Sequence, residues 1–258
     1  MSWKTMEVRD GVARVSCDNW RDFVAFVQEE LLDYKQYIFR GHRDASWKLV
    51  PSLYRLEPER SFFALSLNAF KNATRGRRGP NPSQLSEDEW WALGQHHGLM
   101  TPLLDWTLSP FVAAFFAFQH NVESTFLPKD RAVFALARYA VQKKTARIEK
   151  EEPGTVDTGT DAIAVISPQV DDNSRLISQS GLFTKSLGYT EDIEKWVQSH
   201  FSGEDKWTLI KITITENDGD RGAFLKFLNR MNISHLTLFP DLDGAARYCN
   251  MEIEITNY

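Results

Sequence analysis

The pattern of apolar and polar residues predicts a chain in which short strands and amphipathic helices follow one another. Apolar residues recur at three- and four-residue spacing over 20–32, 59–74 and 220–231, which predicts helices. Further helices are expected over 86–96 and 242–248. Short apolar runs predict strands within 1–16 and at 37–39, 132–137, 162–166, 207–214 and 236–239. The expected fold class is α+β, with a mixed central sheet and flanking helices.

We expect one domain over residues 1–258. Its N-terminal part, about 17–95, is expected to be helical, and its core, about 96–258, to hold a central motif and the C-terminal strands. Residues 75–82, RGRRGPNP, predict an exposed loop, because glycine and proline interrupt regular structure and the arginines stay solvated. Residues 143–160 are charged and contain glycine and proline, which indicates a loop or a poorly ordered insert.

The most unusual stretch is 95–118, QHHGLMTPLLDWTLSPFVAAFFAF. Asp105 precedes an almost wholly apolar segment that is expected to be buried, so Asp105 is expected at the edge of the core. A carboxylate there must be paired or hydrogen-bonded, because burying it alone costs several kcal/mol. One alternative is that Asp105 caps the backbone of 108–110. Ser109 followed by Pro110 predicts a helix N-cap with proline at the first helical position.

Composition narrows the function classes. The chain has 258 residues, 42% of them hydrophobic, and a net charge of −5, so no overall field attracts nucleic acid or anionic lipid. No apolar run could span a membrane, and the two cysteines form no metal-ligand pattern, so a reducing cytoplasm is the expected location. The motifs GxxxxGK[ST], GxGxxG, GxSxG and HExxH are absent, which argues against P-loop ATPases, Rossmann dehydrogenases, α/β-hydrolases and zincins.

Three groups of residues resemble the FRG domain, a family named for its Phe-Arg-Gly motif. They occur in order along nearly the whole chain: Phe39-Arg40-Gly41, the central QHHG…LLDWT, and Arg175, Gln179, Gly181 and Phe183 before LFPDLDG. Two positions differ from the family pattern. Met100-Thr101-Pro102 replaces the usual Pro-Thr-Arg, and His97 stands where a tyrosine is frequent. If the arginine contacts a ligand in relatives, Pro102 removes that contact here.

A weaker, fold-level similarity connects the chain to ADP-ribosyltransferases. Enzymes of the arginine-bearing class carry an aromatic-Arg-Gly on an early strand, where the arginine holds the NAD phosphates. Ile38-Phe39-Arg40-Gly41 is similar to that segment, and Asp105-Trp106 with the following Phe/Ala-rich stretch is similar to the nicotinamide side of some toxin-like relatives. This likeness implies an ADP-ribosyltransferase-like fold, NAD as cofactor, and a nucleotide-like ligand with a protein target or partner.

Arginine at this place suits phosphate binding. The planar guanidinium of Arg40 can hold a phosphate with two hydrogen bonds, and Gly41 would let the ligand approach the backbone. The alternative is a structural Arg40 paired with Asp105 or Asp241. His42 and Arg43 could extend a phosphate site, but surface positions in a turn are expected for both.

Acid and base candidates complete the predicted site. Asp105, His96 and Asp241 are the candidate catalytic residues, with Asp241 or Asp243 stabilising an oxocarbenium-like centre in a transferase. Structural alternatives are a histidine tied to Asp105 or to a backbone carbonyl, and aspartates that cap the last helix. The remaining candidate ligand-binding residues are Thr101, Trp106, Phe115, Arg175 and Gln179.

The favoured hypothesis is a nucleotide-phosphate pocket in an NAD-consuming, ADP-ribosyltransferase-like effector or toxin of bacterial or phage defence. The first alternative is a non-catalytic ligand-sensing or protein-interaction module. The second is a metal-dependent nuclease built on Asp105, Asp241 and Asp243, although their spacing does not require a metal.

Overall fold

The computed structural model describes residues 3–56, 61–119, 129–151, 161–167, 174–188, 192–217 and 219–258. The strands are β1 (Trp3–Arg9), β2 (Val12–Cys17), β3 (Tyr37–His42), β4 (Leu103–Thr107), β5 (Asp130–Ala137), β6 (Ile163–Ile166), β7 (Gly181–Ser186) and β8 (Leu209–Thr215). The helices are α1 (Trp20–Phe26), α2 (Ser52–Leu56), α3 (Ser61–Ala73), α4 (Glu87–His96), α5 (Pro110–Phe118), α6 (Arg138–Glu151), α7 (Ser174–Ser178), α8 (Ile193–His200), α9 (Asp220–Arg230), α10 (His235–Leu238) and α11 (Leu242–Glu254). A π-helical segment, Val27–Leu31, continues α1.

The strands form one mixed sheet in the order β1-β2-β8-β5-β3-β4-β7-β6. β2 and β8 run parallel, and the other neighbouring strands are antiparallel. The α+β class with a mixed central sheet is thus confirmed. The predicted helical part, 17–95, also contributes β3, which lies near the middle of the sheet.

Both faces of the sheet are buried, which explains the continuous apolar run of β5. Alternate residues of β5 enter two different clusters: Val133 packs with α1, α5 and α9, and Phe134 packs with α8. A third cluster joins α2, α3 and α4 to β4 and β7. These layers hold β3 and β4 between helices on both sides.

Two predicted elements differ from the structure. The strand predicted at 236–239 is wrong, because a capping box between Ser234 and Thr237 starts the short helix α10 there. The first part of the predicted insert at 143–160 is helical up to Glu151, and residues 152–160 lie outside the described residues. The helix predicted over 59–74 is present as α3 from Ser61 to Ala73, and residues 59–60 lie outside the described part.

The sheet opens between β3 and β4. β3 pairs with β5 along its whole length, from Tyr37 to His42, whereas it pairs with β4 only at Phe39 and Thr107. Helix α5 packs tightly against β3 at this place. A Cβ on Gly41 would lie 1.9 Å from the carbonyl oxygen of Ala113, so the glycine lets the helix backbone approach the strand.

Replacing Gly41 with alanine should therefore destabilise the fold. Because the new methyl group would collide with backbone atoms of α5 that cannot rotate away, we expect Gly41→Ala to cost about 3 kcal/mol of unfolding free energy. Urea denaturation measures this. The matched control is Gly222→Ala in α9, where the nearest atom is a methyl of Ile255 at 3.7 Å. That variant should be neutral or slightly stabilising, and an equal effect of the two substitutions would contradict the packing argument.

Candidate functional site

A cleft of about 600 Å³ lies where β3 and β4 diverge. Its volume is in the range of small-molecule sites. The predicted residues that line it are Arg40, Gly41, His96, Asp105, Trp106, Arg175 and Gln179. The predicted residues outside its lining are Thr101, Phe115 and Asp241. Lining residues that the sequence-based site did not include are Phe39, His42, Arg43, Arg55, Gln95, Phe116, Phe239 and Arg247.

Arg40 bridges the gap between the diverging strands. Its NH1 donates hydrogen bonds to the main-chain oxygen of Asp105 (2.8 Å) and to Oδ2 of the same residue (3.3 Å). Its Nε donates to Nε2 of His42 at 3.0 Å. Removal from water lowers the pKa of Arg40, while the negative charge of Asp105 raises it. NH2 of Arg40 has no hydrogen-bond partner among the described residues, so its two N–H groups remain for a ligand.

His42 is a buried neutral acceptor rather than the surface residue expected from the sequence. Its side chain is 6% exposed and packs edge-on against Phe134, with ring centroids 5.0 Å apart. Burial, and then the charge of Arg40, lower its pKa to about 3. At neutral pH the uncharged ring therefore accepts the Nε hydrogen of Arg40 and fixes the guanidinium plane. Nothing in the sequence shows that Phe134, far along the chain, covers this histidine.

The side chain of Asp105 is 59% exposed, which is more than the predicted position at the edge of the core implies. Strand alternation directs Leu104 and Trp106 into the core and Asp105 toward the cleft. Its Oδ1 accepts a hydrogen bond from Nε2 of Gln95, and Oε1 of Gln95 accepts one from the buried hydroxyl of Thr101. Thr101 thus positions Asp105 through Gln95 and does not reach the cleft.

The helix that follows β4 does not use Asp105 as its cap. Ser109 is the N-cap of α5, and its hydroxyl accepts the backbone N–H of Val112, with Pro110 at the first helical position as predicted.

Aromatic residues of the cleft differ from those predicted to stack on a ligand. Trp106 is 2% exposed and donates its indole N–H to the hydroxyl of Thr184 at 2.8 Å. Phe115 is fully buried in the core. The neighbouring Phe116 lines the cleft instead, edge-on to Phe239, with ring centroids 6.1 Å apart. The helical period indicates an apolar helix here, but which phenylalanine faces the cleft depends on how α5 sits against the sheet.

Two lining arginines, Arg175 and Arg247, belong to an arginine–aspartate network. Asp241 is the N-cap of α11, accepting the backbone N–H of Gly244 at 2.9 Å, and it also accepts Nε–H of Arg175 at 2.7 Å. The hydrogen bond from Gly244, and then that from Arg175, lower the pKa of Asp241. Arg247 pairs with Asp243 at 3.0 Å. This geometry matches the capping alternative for Asp241, and it neutralises both arginines.

Two further properties bear on the function. Within the described ranges, no group of three or more His, Cys, Asp or Glu side chains is arranged to hold a metal ion. The helices in the part of the chain that the structure describes are too short or too polar to cross a membrane.

Comparison with known proteins identifies the segment that carries Arg40 and Asp105. Residues 35–125 match the family model described as FRG domain, so the chain contains an FRG domain, as the motifs predicted. The match includes β3, β4 and α5, whereas Arg175 and Arg247 lie beyond it. No curated protein and no solved structure matches the chain.

Lowering the pH should reduce the free energy of unfolding, because His42 binds a proton more readily in the unfolded state than in the folded one. Its folded pKa is about 3, whereas an unfolded histidine titrates near 6.5, so below pH 6.5 the unfolded state binds the additional proton. Stability is full above pH 6.5 and falls toward pH 3, with about 2 kcal/mol lost between pH 6.5 and about 4.5. His42→Gln retains an acceptor for Arg40 and should flatten this part of the pH profile, measured by denaturation at each pH.

The matched control for this experiment is His97→Gln, which removes an exposed histidine and should retain the wild-type slope. His235, whose pKa burial lowers to about 4, stays in both variants and contributes the same residual slope. Equal slopes for His42→Gln and the wild type would contradict the lowered pKa of His42 in the folded state.

Proposed function

We propose that the cleft binds a phosphate-bearing nucleotide of the NAD type, and that the protein is an NAD-consuming, ADP-ribosyltransferase-like enzyme. The observation that carries this proposal is the concentration of positive charge. Among the described residues, five arginines line the cleft: carboxylates pair with Arg40, Arg175 and Arg247, whereas Arg43 and Arg55 have no carboxylate partner, although the whole chain has a net charge of −5. Such a local excess favours an anionic ligand, and arginine is suited to phosphate geometry.

The lining of the cleft suits the two parts of a nucleotide. The NH2 group of Arg40, which has no hydrogen-bond partner among the described residues, can donate to a phosphate oxygen. Phe116 and Phe239 offer aromatic surface to a planar ring. The volume of about 600 Å³ favours a small ligand over a nucleic-acid strand.

Asp105 is the best candidate for the catalytic acid. It is the exposed carboxylate in the lining, and hydrogen bonds from Gln95 and Arg40 fix its orientation. When the bond between ribose and nicotinamide breaks, positive charge develops on the ribose, and an oriented carboxylate stabilises that charge. His96, also in the lining, could bind a ribose hydroxyl. Asp241 serves α11 as its cap, so we assign the acid's role to Asp105 alone.

The biological role proposed with this chemistry is that of an effector or toxin in bacterial or phage defence, acting on a target in the cytoplasm. It rests on the similarity to ADP-ribosyltransferases noted in the sequence.

A second candidate is a non-catalytic sensor that binds the same nucleotide. Pro102, in place of the arginine usual in the family, favours it, as does the ion pair in which Arg40 and Asp105 satisfy each other. The nuclease alternative has less support, because it needs carboxylates gathered around a cation, whereas Asp105 and Asp241 each engage an arginine.

Nicotinamide release from NAD by the purified protein tests the proposal. We expect release by the wild type and a loss of about a hundredfold or more in its rate for Asp105→Asn, because the neutral amide cannot stabilise the developing charge. Arg40→Lys should weaken NAD binding about tenfold, because the ammonium cannot reproduce the guanidinium geometry. Asp33→Asn, which neutralises an exposed acid outside the cleft, is the matched control.

Thermal unfolding with and without NAD separates the outcomes. A rise in Tm with NAD but no nicotinamide release would support the sensor. Neither a rise in Tm nor release would contradict both the enzyme and the sensor.

A further inference from the structure

The arginines that line the cleft differ in whether a carboxylate pairs with them. Arg175 and Arg247 are paired with Asp241 and Asp243. Arg40 is paired with Asp105. The side chains of Arg43 and Arg55 line the same cleft and have no ion-pair or hydrogen-bond partner among the described residues. Arg43 lies over the ring of Trp47, 5.7 Å from its centroid, whereas Arg55 has no such ring contact there.

Arg55 lies on the short helix α2, which hydrogen bonds hold in place. The helix α2 is fixed to the segment before β4 by the backbone hydrogen bond from Leu53 N–H to the carbonyl of Thr101 (3.1 Å). Ser52 adds a hydrogen bond, because its hydroxyl accepts the N–H of Thr101 at 3.1 Å. The two residues of α2 before Arg55, Leu53 and Tyr54, are buried in the core. The exposed side chain of Arg55 therefore extends from a helix that is firmly packed.

The charge of Arg55 acts on Arg40 within the cleft. Besides the larger effect of burial, Arg55 contributes to the lowered pKa of both Arg40 and His42. Two positive charges from separate elements, β3 and α2, therefore repel each other in one cleft, where the carboxylate of Asp105 pairs with Arg40. An anion between them would relieve this repulsion.

We infer that Arg40 and Arg55 form a diphosphate site in the cleft, in which Arg40 binds one phosphoryl group and Arg55 binds the next. In Arg40, the Nε and NH1 groups already serve His42 and Asp105, so NH2 alone offers hydrogen bonds to one group. The guanidinium of Arg55 offers its whole donor fork from the opposite element. This inference rests on the proposed function, and it adds Arg55 to the site as the residue that selects ligands with a diphosphate over ligands with a single phosphate.

Isothermal titration in magnesium-free buffer tests this inference with four probes: inorganic phosphate, inorganic pyrophosphate, AMP and ADP. We expect pyrophosphate to bind at least about tenfold more tightly than phosphate, and ADP at least about tenfold more tightly than AMP, because the second phosphoryl group gains the charged hydrogen bonds of Arg55. In Arg55→Gln this preference should disappear. Arg77→Gln, which removes an exposed arginine in the loop after α3, is the matched control and should retain the preference.

Equal affinities for phosphate and pyrophosphate, or a preference that survives in Arg55→Gln, would overturn the inference. If Arg55→Gln does not fold, Arg55→Lys supplies the test, and it should reduce the preference because its ammonium provides fewer directed donors. The two proposals can fail separately. Nicotinamide release without a pyrophosphate preference would refute the diphosphate site alone, and a pyrophosphate preference without NAD binding would refute the NAD enzyme alone.

Discussion

The candidate site depends on one side chain, Arg40, which joins two strands that have stopped pairing. Beyond Phe39, the ladder between β3 and β4 ends, and the guanidinium donates to the main-chain oxygen of Asp105 across the gap. His42, kept neutral by burial, accepts a second hydrogen bond and fixes the guanidinium plane. With these donors engaged, NH2 is directed to the cleft. The hydrogen bond that joins β3 to β4 therefore also orients the NH2 group that can donate to a phosphate. Gly41 allows α5 to pack closely against β3 beside Arg40.

The cleft combines residues from two parts of the chain. The segment that matches the FRG domain supplies Arg40, Arg55 and Asp105. The C-terminal part, beyond the match, supplies Arg175, with its charge balanced by Asp241. The cleft thus combines arginines whose charge is balanced by aspartates with arginines that have no carboxylate partner among the described residues. This surplus of positive charge in a cleft of about 600 Å³ underlies our choice of a small phosphate-bearing ligand over a polymer.

The sequence predicts elements with a strong local period, such as α5 and α9, and the motif that carries Arg40 and Asp105. It does not predict features set by distant contacts. The exposure of Asp105 depends on which face of β4 meets the core, and the choice of Phe116 over Phe115 depends on the rotation of α5. The burial of His42 depends on β5. These positions are fixed only when the sheet assembles, so local patterns contain no signal for them.

The most direct test of the central claim is a crystal structure of the protein with ADP-ribose, the nucleotide part of NAD. We expect a phosphate oxygen about 3 Å from NH2 of Arg40, with the hydrogen bond from Arg40 NH1 to the main-chain oxygen of Asp105 intact. The carboxylate of Asp105 should face the ribose. A nucleotide bound elsewhere on the protein, with no ligand atom near Arg40, would contradict the account, and so would a cleft that stays free of nucleotide at saturating concentration.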